Sequence, residues 1–152
     1  MTRTSPSGKT PAMRYSYTFK LHPRQLPVKV WVGYRSEFKL DFPHLWTGED
    51  RAVVWYPPGC MPVDCTAIAH EGVHLAVWGL ETLPYAALRE LIPVRDMCWG
   101  KGRASVKEEA MARMVDRHVA NFYHRAKTRG LEIVGPKTTM RPRVVDDPGF
   151  YP

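Results

Sequence analysis

The stretch TAIAHEGVHLAVW, Thr66 to Trp78, sets two histidines and a glutamate into a run that is otherwise apolar. A buried polar side chain without a partner costs a few kcal/mol, and a charge costs more. The three therefore have partners inside the fold, or they hold something. The run reads as a helix to about Thr82: Asp64 is a good N-cap behind Pro62, and Pro84 opens the next helical stretch. On that helix His70 and His74 are i and i+4, so their imidazoles stand a turn apart on one face. That spacing suits two nitrogens about 2.1 Å from one Zn²⁺. Glu71 lies about 100° round the helix, where it can serve as general base towards a zinc-activated water. Two core histidines bonded to backbone would leave this glutamate unexplained.

Outward from the helix, the chain reads as α+β. Before it lie short β-rich runs, Arg14–Lys20, Val28–Gly33 and Arg51–Tyr56, each ending near Pro or Gly. After it comes a short helical stretch from Tyr85 to about Leu91, stopped by Pro93. Ser105 and Glu108 then fit a capping box opening a long helix that Gly130 should end. Residues 1–13 are rich in Ser, Thr, Pro and Gly and are expected to be flexible. Residues 135–152 hold four prolines and read as an extended tail. The expected domain is 14–134, a small, mainly antiparallel sheet packed on the central His helix and the long C-terminal helix.

A catalytic zinc site needs a third protein ligand. A metzincin would have Gly three residues and His six residues after His74; Val77 and Leu80 stand there. Glu81 is seven residues on, about 10 Å of rise, too far for one metal. The long helix offers Glu108 and Glu109. Glu108 points along the stripe of Met111, Ala112, Val115, Val119 and Phe122 but is also the N3 residue of the capping box. Glu109 is one step round, beside the small Ala112 that would let the two helices approach. Either can serve, and Glu109 is the preferred choice.

TAIAHEGVHLAVW followed by EEAMARMVDRHV is similar to gluzincin-type zinc peptidases, and more closely to small zincin-like proteins of tailed bacteriophages. The resemblance spans roughly residues 53–123 and implies His70, His74 and Glu109 as zinc ligands and Glu71 as base. Where such proteins often carry an aromatic residue after the Ala of the second motif, this chain has Arg113. In zincins the strand before the His helix usually forms the sheet edge that grips an extended substrate; Arg51–Tyr56, with Val53, Val54 and Trp55, occupies that place. Tyr123, His118 and Arg113 are candidates for contacts to the substrate or the transition state.

Composition frames two expectations. With 44% hydrophobic residues, the 152-residue chain can bury a core. Its three cysteines make an odd count, no signal-peptide pattern opens the sequence, and no apolar run approaches 18 residues. A reducing, cytoplasmic compartment without membrane insertion is expected. The leading expectation is a zinc-dependent metallopeptidase acting on a peptide or protein. The alternative is a non-catalytic zincin-fold accessory protein with structural zinc. Its net charge of +7 would serve an acidic partner or nucleic acid. Every charged side chain before Glu37 is basic, and Arg117, Arg125, Lys127 and Arg129 form a second cluster.

Overall fold

The computed structural model describes residues 14–93 and 102–135. The expectations for 1–13 and for the tail beyond Gly135 fall outside those residues. Four strands form a mixed sheet: β1 (Tyr15–His22), β2 (Gln25–Val32), β3 (His44–Thr47) and β4 (Ala52–Tyr56), in the order β1-β2-β4-β3. β1 and β2 pair antiparallel as a hairpin, β2 and β4 run parallel, and β3 returns antiparallel to β4. A second, two-stranded parallel sheet joins β5 (Val63–Asp64) to β6 (Ile133–Val134), tying the entry of the His helix to the end of the last described helix.

Strand alternation explains which face is covered. Tyr15, Tyr17, Phe19 and Leu21 of β1, Val28, Val30 and Val32 of β2, and Val54 and Tyr56 of β4 share the inner face, and all are buried. Period-2 patterning puts the intervening residues on the opposite face. There Trp31, Trp55 and His44 form one cross-strand row, and Lys29, Val53 and Trp46 the next. The 33–43 segment folds over part of this outer face: the Phe38 ring lies 4.4 Å from Trp46 and 4.9 Å from Trp55. Trp55 is buried and donates from Nε1 to the Gly33 carbonyl at 2.6 Å.

This topology corrects one expectation. β4, carrying Val53, Val54 and Trp55, is an interior strand between β2 and β3, with both backbone edges engaged. The edge strand beside the His helix is β3, a four-residue run held between Pro43 and Gly48, too short to show alternation.

Helix α1 (Cys65–Thr82) starts where expected, with the Asp64 carboxylate accepting from Thr66 N at 2.8 Å. The short α2 (Tyr85–Glu90) follows Pro84. Helix α3 (Arg103–Arg129) ends at Gly130, whose φ of 71° is the left-handed conformation glycine adopts without strain. Its start differs from the capping-box reading. The N-cap is Gly102 and Val106 N already donates to Gly102 O, so Ser105 and Glu108 lie inside the first two turns. Arg103 and Ala104 are good helix formers and extend the helix backwards past the Ser.

α1 packs along α3, and glycines on α1 set the approach. A methyl at Gly79 would run into Met114 Sδ, and one at Gly72 would stand 3.3 Å from Val115 Cγ1. Ala112, expected to mediate the close approach, is exposed. The buried line of α3 runs instead through Val106, Ala110, Met114, His118, Phe122 and Ala126, with Val115 and Val119 half-buried beside it. Among the described residues no helix is long and apolar enough to cross a membrane.

Candidate metal centre

α1 divides the three polar side chains of its motif between two faces. His70 and His74 are exposed, as are Val73 at 41% and Val77 at 39%, so one side of the helix is open to solvent. Glu71, a step round, is only 4% exposed and faces the core. The segment is therefore not a wholly buried helix. Its exposed valines hide an open face behind apolar residues.

The two imidazoles converge. His70 Nε2 and His74 Nε2 are 3.1 Å apart, with the rings edge to face at 77° and their centroids separated by 4.7 Å. Two nitrogens about 2.1 Å from a tetrahedral metal would stand roughly 3.4 Å from each other. The pair thus fits a shared cation with an adjustment of a few tenths of an ångström. Beside it, Glu71 Oε2 is a buried carboxylate oxygen with no hydrogen-bond partner among the described residues. Burial pushes the Glu71 carboxyl above the usual carboxylate range, against the opposing pull of His74, His70 and His44. A base with a raised pKa is better matched to neutral pH than an ordinary carboxylate.

His44 was not singled out from the sequence. It sits on edge strand β3, where its ring packs 4.5 Å from Trp46 and 5.8 Å from Phe42. Its signal is weak: one histidine in a run of four strand residues.

The remaining candidates lie elsewhere. Glu109 is half-buried and accepts from Arg113 Nε at 2.9 Å, an i, i+4 ion pair along α3. Val115, beside Gly72, marks the level of the histidines, and Glu109 is six residues before it, roughly 9 Å of helix rise. Glu108 is exposed. Among the described residues no three of His, Cys, Asp and Glu gather closely enough to hold a metal ion. The structure thus brings His70 and His74 together, sets Glu71 on the buried side of the same turn, and does not bring Glu108 or Glu109 to the pair.

His118 is fully buried behind α1, with its Cδ2 3.6 Å from where a Gly72 methyl would stand. Its Nε2 is 2.7 Å from the hydroxyl of Tyr56, also fully buried. Burial holds the His118 pKa down to about 4, so the ring is neutral, and raises that of the Tyr56 phenol. His118 therefore belongs to the core, out of reach of a substrate on the open face of α1. Tyr123 is 42% exposed on α3. Val53 and Trp55 lie on the outer face of the sheet.

Compared with protein-family models, with curated proteins and with solved structures, the chain matches none.

Proposed function

We propose that this protein is a zinc-dependent hydrolase, most plainly a small metallopeptidase, with His70 and His74 holding the metal and Glu71 acting as general base. The observation that carries the reading is the 3.1 Å approach of the two Nε2 atoms on a solvent-open helix face, with a buried carboxylate one step round. When bound, zinc would supply Lewis acidity and bring a water's pKa near neutrality. The protein's own groups do the rest. Glu71, shielded from solvent and raised in pKa, accepts the proton of the attacking water and can return it to the leaving amine. Val73 and Val77 give the open face an apolar floor for substrate side chains. β3, the edge strand of the described sheet and in contact with α1, would offer its outer backbone edge to an extended peptide. Glu109 is the third ligand on motif grounds alone, with Glu108 as the alternative; to serve, Glu109 would exchange Arg113 for the metal. The phage-type zincin resemblance points the same way.

Glu71→Gln tests the reading. The amide keeps the size of the side chain but accepts no proton, so peptide hydrolysis by the zinc-loaded protein should fall by roughly 10²–10⁴-fold. Zinc content should stay the same, because Glu71 is not a ligand. Hydrolysis undiminished in the variant would remove the peptidase reading.

A further inference from the structure

The outer face of the sheet, on the side away from α1, carries a groove of about 390 Å³. Thr18, Lys29, Trp31 and Val53 line it from three strands, and Arg35 and Arg51 line it from the flanking segments. Among the described residues no acidic side chain lines it. Beyond it the charge continues: Lys20 shares the face, opposite Pro27 in the register, and neither β1 nor β2 contains a carboxylate. The Arg35 guanidinium lies 4.5 Å from the centroid of Trp31 and 5.0 Å from that of Phe38, so planar surface and charge meet at the groove. Arg35 also pairs with Glu37, and Arg51 with Asp50 at 3.3 Å. Both carboxylates are more than half exposed and sit one or two residues from their partners. Pairs of this kind contribute little and yield readily to a phosphate.

We propose that this groove binds single-stranded nucleic acid, with Lys29 and Arg51 on phosphates and the accessible part of the Trp31–Arg35 stack receiving a base. A positively charged groove with an aromatic platform is what an unpaired strand requires, because each nucleotide brings both a charge and a flat ring. An acidic peptide matches the charge but has no use for the stack. The run of charge from Arg51 past Lys29 to Lys20 suits a polymer of phosphates rather than one. The basic cluster of α3 is a weaker candidate, since the rings that Arg125 and Arg129 lie over, Tyr17 and Tyr15, are buried in the core and cannot receive a base.

The test is fluorescence anisotropy of a labelled strand of about 12 nucleotides, in DNA and in RNA form, over a salt series with the full chain. Binding of at least one form is expected. The Lys29→Glu/Arg51→Glu variant should weaken it at least tenfold and lower the salt slope by about 1.4, two phosphate contacts' worth on a single strand. Both residues are exposed, so the thermal unfolding temperature should hold. Arg125→Glu/Lys127→Glu should change affinity less than threefold. The proposal is overturned if neither strand binds at low salt, if the groove variant binds as well as wild type, or if polyglutamate of equal charge competes as strongly as the unlabelled strand.

Discussion

Glu71 and His118 are both ionisable side chains on the inward side of α1, and burial drives both towards their neutral forms. For His118 the consequence is measurable. An unfolded chain protonates this imidazole near its ordinary 6.5, while the folded protein resists down to about 4. Because the folded pKa is the lower one, the stability His118 contributes is complete above pH 6.5 and is lost as pH falls towards 4. The loss amounts to about 3 kcal/mol at most. Thermal or urea unfolding between pH 7 and 4 should show this decline, and His118→Gln, neutral throughout and able to accept from Tyr56, should flatten it. An equally steep decline in the variant would place the acid sensitivity elsewhere. At this scale the sequence was legible in part. The spacing of His70, Glu71 and His74 identifies the motif, yet not that its histidines face solvent while its glutamate faces the core, because Val73 and Val77 make the open side look apolar. The sequence offers His118 as a candidate for substrate contact; it lies in the buried stripe of α3, where a polar residue is hard to place without knowing that Tyr56 meets it.

Among the elements, the contact between α1 and α3 rests on two glycines rather than on Ala112. Gly79→Leu would drive a side chain into fully buried Met114 and should destabilise the fold by about 1–3 kcal/mol, despite leucine's better helix propensity. Ala112→Leu, at an exposed site, should leave the unfolding midpoint within about 0.5 kcal/mol of wild type. The opposite ranking would restore the approach through Ala112. Helix limits came through well where a chemical signal marks them, as Asp64, Pro84 and Gly130 do. They failed at the start of α3, where Gly102 caps by conformation alone and Ser105 offered a misleading side chain. The sheet was the least legible element. β3 is four residues long, and a parallel pairing between β2 and β4 leaves no mark in either strand, so β4 looked like an edge when it is enclosed.

For the molecule as a whole, the α+β class followed from the order of strand-like and helical segments, because that order depends on patterning over many residues rather than on any one contact. Where the charge acts did not follow. The basic residues of α3 partly clad the tyrosines of β1, whereas those of the open sheet face surround a groove, and only pairing register shows which residues share that face. The two faces of the sheet thereby separate the two proposed activities: hydrolysis at α1 on one side, strand binding on the other. The first depends on metal held by the histidine pair. Zinc should be measured by elemental analysis after loading and exhaustive dialysis, in wild type beside His70→Ala/His74→Ala. The account predicts about one zinc per wild-type chain and none in the variant. A wild type that retains no zinc, or a double variant that retains as much as wild type, would contradict it.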